Sequence, residues 1–167
     1  DRFNLAILNV MLGDGMSSRL FLNLRERQSM AYDVNSSTCH FRDCGSLVIY
    51  CGVEPQKSRE AVRAMIGELG GMREEAPHQE LVKAKEYTKG RFLLGLENTR
   101  AVATWLASQE LLQGWVSTPD ETIQCIDAVT GPEVARVAQT LCCQEKLRLA
   151  VGGPHRSDKS FLKLLRR

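Results

Sequence analysis

Between Leu12 and Val34 the chain changes its hydrophobic period, and that change restricts the folds open to it. Residues 2–12 carry Leu5, Leu8 and Leu12 on one helical stripe, with Ile7 and Met11 widening it. Gly13-Asp14-Gly15 stops this helix, because glycine reaches positive φ at little cost. Ser17 or Ser18 then caps a short second helix with Leu20, Phe21 and Leu24 on its inner face. After Tyr32 the pattern alternates. Residues 33–41 and 45–53 read as strands around the turn Arg42-Asp43-Cys44-Gly45, a β-hairpin. In the second strand Leu47, Ile49 and Cys51 share one face while Val48 and Tyr50 share the other. Both faces are apolar, so this strand is expected to be central or covered on both sides.

The remainder is mostly helical. Pro55 fits a first turn, and Val62, Met65, Ile66, Leu69 and Met72 give helical spacing after it. A tract from Pro77 to about Gly114 follows, with its break at Asn98-Thr99. Thr118-Pro119-Asp120-Glu121 and Thr130-Gly131-Pro132-Glu133 are two capping boxes, the second introducing Val134, Val137, Ala138 and Leu141. Leu147, Leu149 and Val151 alternate with Arg148 and Ala150, a strand ended by Gly152-Gly153-Pro154, and 159–167 read as a basic closing helix. The expected class is α+β, an antiparallel sheet covered by helices. Three strands make a thin sheet for so many helices, and the chain opens on a helix, so a fragment of a longer protein is expected.

With 167 residues, no internal linker or repeat and 43% hydrophobic content, residues 1–167 are expected to form one domain. The net charge of +2 gives no general attraction to nucleic acid or anionic lipid, and no apolar run approaches the roughly 20 residues that span a bilayer. No signal peptide opens the chain, and a soluble, cytoplasmic protein is the expectation. The cysteines at 39, 44, 51, 125, 142 and 143 lack paired zinc-site spacing. An even count permits disulfides, but reduced thiols are the favoured reading. Cys39, Cys44 and His40 read as packing residues, and Trp105 and Trp115 as core or half-interface surface.

The segment Gly13-Asp14-Gly15-Met16-Ser17-Ser18-Arg19-Leu20-Phe21, then Arg25-Glu26-Arg27, then Met30-Ala31-Tyr32-Asp33-Val34, resembles the second half of the pitrilysin/insulinase/mitochondrial-processing-peptidase family. Glu97-Asn98-Thr99, Gln109-Glu110, Ile126-Asp127-Ala128-Val129-Thr130 and Ala150-Val151-Gly152-Gly153-Pro154 extend the likeness over nearly the whole chain. The resemblance implies a LuxS/MPP-like metallohydrolase half, lacking its first strand, that faces a second half across a chamber. The family's zinc lies on an inverted H-x-x-E-H helix of that other half. Here His40, His78 and His155 are isolated, so no metal and no lone peptidase activity are expected of this chain; zinc is expected in the missing N-terminal half.

By the same resemblance, Arg25 and Tyr32 contact the peptide substrate and the oxyanion, and Gly13, Gly15 and Met16 lie near the substrate path. Taken alone, such residues are ordinary: a solvated arginine, a half-buried tyrosine, two capping glycines. In an uninterrupted helix seven residues advance roughly 10 Å and return to nearly the same face, which permits Arg25 and Tyr32 to point into one chamber, Tyr32 just beyond the helix end. Asp14 stands where the family commonly has glycine, and Ser29 replaces the glycine before Met30-Ala31-Tyr32. The expected partners are a peptide and the zinc-binding half, in the same protein or a paired subunit. The alternative is an interaction or scaffold domain of a catalytically inactive homologue.

Overall fold

A computed structural model describes residues 1–41 and 43–165. Helix α1, Arg2–Leu12, runs through the centre, with Ile7, Leu8 and Leu12 fully enclosed. It touches α3 (His78–Gly95), α5 (Pro119–Asp127), α6 (Gly131–Leu141) and strand β1 (Ala31–His40). Contact with four elements explains why its apolar stripe is so wide. It also explains two buried asparagines, Asn4 and Asn9, of which Asn9 accepts a hydrogen bond from the Ser36 hydroxyl on β1 at 2.8 Å.

Strands β1 and β2 (Gly45–Val53) form an antiparallel hairpin, with Phe41 N–H bonded to the Cys44 carbonyl at 2.9 Å across the turn. Arg42 of the expected turn lies outside the described residues. Val34↔Cys51, Ser36↔Ile49 and Thr38↔Leu47 face the core, over helix α2 (Ser58–Gly71), while Asn35↔Tyr50 and Ser37↔Val48 face outward. The expectation that β2 is covered on both faces is corrected: Val48 and Tyr50 are about half exposed, 49% and 56%, because among the described residues the sheet has two strands and helices on one side only.

The 3₁₀ turn Pro55–Lys57 leads into α2, and Asn98 caps α4 (Thr99–Gln113) by accepting from Ala101 N–H, which is the expected break in the long tract. Gly114 ends α4 in the left-handed region. The box at Thr118 forms in both directions, and at Thr130 the N–H and hydroxyl both donate to Glu133. Helix α7 is Lys159–Leu165; the last two residues of the expected closing helix lie outside the described ones. The expected strand at 147–151 does not form. Residues 147–150 keep an alternating half-buried and exposed pattern, but no neighbouring strand meets them among the described residues, and a ladder needs a partner. Among the described residues the architecture is α+β, a two-stranded antiparallel sheet with eight helical elements longer than a single turn.

Candidate functional site

Three backbone irregularities succeed one another between Phe21 and Tyr32. The second helix winds as a π-helix over Phe21–Arg27, with Gln28 N–H bonded to the Asn23 carbonyl at 3.1 Å, five residues back. Met30 N–H reaches the Leu24 carbonyl at 2.8 Å, closing the last turn. Ser29 then takes a left-handed conformation, φ 46°. Finally the pairing of β1 skips from Ala31↔Val53 to Asp33↔Gly52, so Tyr32 is the extra residue of a β-bulge. π-turns and bulges re-aim side chains, and strained residues concentrate where aim matters. The expected α-helix at Arg25 is corrected, since Arg25 sits on a π-wound turn, while Tyr32, expected just beyond the helix end, lies on β1. The left-handed Ser29 and the bulge at Tyr32 lie between the π-wound turn and the rest of the strand, and both side chains line one hollow.

Long-range contacts hold this segment. Leu20 and Leu24 are fully buried on its inner face. Arg19 forms a two-pronged ion pair with Glu80 on α3, at 2.7 and 2.8 Å, and Asn23 donates to Glu68 on α2 at 2.5 Å. The hydrogen bonds and charge of Glu80 outweigh the partial burial of Arg19 and raise its pKa. Ser29 carries the strain without glycine's freedom. Replacing it, Ser29→Gly, is expected to stabilise the chain by about 1 kcal/mol, the left-handed penalty less the added flexibility of the unfolded state. A Tm rise of about 2–4 °C in thermal unfolding checks this, and an unchanged or lower Tm would show that the strain is relieved elsewhere.

Arg25 and Tyr32 line one open hollow of about 610 Å³, with Ser29, Met30 and Ala31 on one side and Gly52, Val53, Glu54 and Lys57 on the other. Tyr32 is 88% exposed. Arg25 is exposed, lies 5.0 Å from the Phe21 ring centroid, and has no carboxylate partner among the described residues. The hollow therefore presents a free guanidinium and a phenol to solvent. Lys57 is the residue that sequence reasoning missed. Its ammonium makes a long 3.4 Å contact with the Ser29 carbonyl and lies 3.9 Å from Glu54. Hairpin register, which sets Val53 opposite Ala31, was the signal that carries the β2 exit to this place.

The glycine turn is treated differently by the fold. Gly13 is buried, and a Cβ built there would meet Ser36 N and Oγ at 2.7 Å; Ser36 N–H donates to the Gly13 carbonyl at 3.1 Å. Close approach of α1 to β1 thus accounts for Gly13, and the structure does not bring it to the hollow. Gly15 has φ 123°, which favours glycine, and lies beside the Tyr87 hydroxyl of α3. Asp14 pairs with Arg91 of α3 at 2.6 Å, and that guanidinium lies over the Tyr87 ring. Met16 is 78% exposed at the tip. Neither Gly15 nor Met16 lines the hollow of Arg25.

The donor set for a metal is poor. Among the described residues no group of three or more His, Cys, Asp or Glu side chains is placed to hold an ion; His40 ends β1, His78 begins α3 and His155 lies in the loop before α7. The described residues do not fit a zinc site. All six cysteines are free. Burial pushes the thiols of Cys51 and Cys142 up to about 11, so both stay protonated near neutrality. Cys39, Cys44 and His40, expected to pack, are exposed at the far end of the hairpin, where no second layer covers them. Trp105 of α4 packs edge-on against Phe92 of α3 at 5.3 Å, and Trp115, just past the end of α4, is about half exposed.

Residues 1–87 match the family described as the peptidase M16 inactive domain. An uncharacterized zinc protease of Mycobacterium bovis is 34% identical over 166 residues, 99% of this chain and 38% of that protein. One of Streptomyces coelicolor is 34% identical over 154 residues, 92% of this chain and 33% of that protein. The chain thus spans about a third of the length of these relatives. Among solved structures, a conserved protein from Enterococcus faecalis superposes with a TM-score of 0.72 at 28% identity, over 82% of this chain and 32% of that one. The peptidase M16 inactive domain from Pseudomonas fluorescens gives 0.72 at 19% identity, over 84% of this chain and 34% of that one, a likeness of fold.

Proposed function

Because the chain belongs to the peptidase M16 family, as its inactive C-terminal-type domain, we propose that it completes the peptide chamber of a zinc protease whose metal-bearing half lies outside these residues. The domain itself is non-catalytic. In this reading the metal and general base come from the other half, in the same polypeptide or a paired subunit. Arg25 and Tyr32 supply fixed hydrogen-bond donors to the substrate carbonyls and to the oxygen that becomes negative in the tetrahedral intermediate. A guanidinium stays charged at any working pH, and a phenol donates without carrying charge, so both stabilise developing negative charge without prior proton transfer.

One observation carries the proposal. Of the arginines along this segment, Arg19 is locked to Glu80, whereas Arg25 has no carboxylate partner among the described residues and shares an open hollow with a tyrosine that sits at a β-bulge. A solvated surface arginine needs no π-turn, left-handed serine and bulge around it. Gly15 and Met16 are assigned to the approach of the peptide, on the exposed tip that the Asp14–Arg91 pair holds against α3. We also assign residues 1–167 to one C-terminal domain with the LuxS/MPP-like sheet one strand short. Supporting this, the free edge of β2 (Gly45 to Tyr50) faces 147–150 across an apolar groove floored by Val62, Met65 and Ile66 of α2.

The test is direct. The full-length protein loaded with zinc is expected to hydrolyse peptides, and residues 1–167 alone are expected to do nothing. An inactive full-length protein that still binds peptides or a partner would favour the interaction-domain reading, and turnover by the isolated chain would overturn the assignment of the metal.

A further inference from the structure

The hollow at Arg25 carries more positive charge than binding neutral peptide carbonyls requires. Its wall contains Lys57, on the turn that leads from β2 into α2, on the same cavity surface as Arg25. The acidic group lining it is Glu54, whose carboxylate is 3.9 Å from the ammonium and whose side chain is 71% exposed. An ion pair that long and that solvated contributes little, so Glu54 screens Lys57 weakly and leaves it open to another anion. Two cations against one acid give the lining a formal charge of +1 at neutral pH. Arg25 and Lys57 are moreover held by different parts of the fold, one on the π-helix and one beyond β2, with the strained Ser29 carbonyl contacting the ammonium between them.

We propose that Lys57 is a specificity-determining residue of this hollow, and that the hollow selects peptide segments presenting a carboxylate, either an Asp or Glu side chain or a free C-terminus. The inference rests on the chamber reading above and refines it: Arg25 and Tyr32 meet the peptide backbone, and Lys57 sorts peptides by charge. Rim charges act mainly on encounter and choice of partner, so the preference is modest and falls with salt.

The experiment uses the full-length protein, with metal chelated so that no peptide is consumed. Glu, Gln or Lys is scanned through an otherwise neutral fluorescent decapeptide, and Kd is read by anisotropy. At one or two positions the Glu peptide is expected to bind about threefold to fivefold more tightly than the Lys peptide at low salt. The ratio should shrink in 0.5 M salt, persist in Lys57→Arg, and fall to one or below in Lys57→Glu. Free-acid and amidated forms of the same peptide separate a C-terminal carboxylate from a side-chain one. Equal Kd for Glu and Lys at every position and terminus, no detectable binding, or a ratio unmoved by Lys57→Glu overturns the inference. Turnover measured in parallel with the zinc-loaded protein keeps the two ideas apart. Hydrolysis without charge preference sinks this inference alone, and charge preference without hydrolysis sinks the peptidase reading alone.

Discussion

Arg25→Ala in the full-length protein is expected to lower kcat/KM for peptide hydrolysis about 10²–10³-fold, equivalent to about 3–4 kcal/mol of lost transition-state stabilisation. The loss should fall mainly on kcat, because the donor gains strength as charge develops on the substrate oxygen. Stability should barely change. Arg25 is exposed and lies near the Phe21 ring, a contact worth about 0.5–1 kcal/mol at such a site. Tyr32→Phe removes a hydroxyl from a side chain already 88% exposed, so it too should leave Tm unmoved while slowing turnover. The discriminating comparison is Arg19→Ala. Arg19 is tied to Glu80 across the π-helix and α3, and its loss should appear first as destabilisation. Unchanged turnover in both Arg25→Ala and Tyr32→Phe would remove the chemical role altogether.

Gly13→Ala is the second large effect, and it acts on the fold. The new Cβ would stand 2.7 Å from both the backbone nitrogen and the hydroxyl oxygen of Ser36, closer than real contacts allow. The obstacle includes backbone, so no rotamer change removes it; β1 must move off α1 and release the Ser36 N–H from the Gly13 carbonyl. Overpacking of this kind costs about 1–3 kcal/mol, a Tm fall of roughly 3–10 °C for a chain of this size. Gly67→Ala, in the interior of α2 with nothing within 4 Å, serves as the control and should be neutral or stabilising. If Gly13→Ala left Tm unchanged and turnover reduced, Gly13 would belong to the peptide path after all.

Much of this architecture was legible in the residues because its signals are local. Hydrophobic spacing gave α1, the hairpin and α2; Asn98 and the two threonine caps marked helix ends where side chains bond the backbone within three residues, and Gly114 marked one through its left-handed backbone. That Arg25 and Tyr32 line one hollow was expected from the family resemblance, and their spacing only permitted it. In the structure a π-wound turn, a left-handed Ser29 and a bulge at Tyr32 separate the two, and no continuous helix joins them. The strand expected at 147–151 shows the opposite failure. Alternation is a property of the segment, but a ladder is a property of two segments, and here the second is lacking among the described residues.

What the sequence by itself determined is therefore what one stretch of chain does with its own neighbours: periods, caps, the glycine turn and the family motif. Only the tertiary structure decided that Arg19 of the motif pairs with Glu80 while Arg25 faces an open hollow, why Gly13 is glycine, and that Lys57 lines the same hollow as Arg25. Those outcomes depend on partners tens of residues away in the chain, and the distance at which an ion pair or a Cβ contact acts is set in space, where sequence spacing has no influence on it.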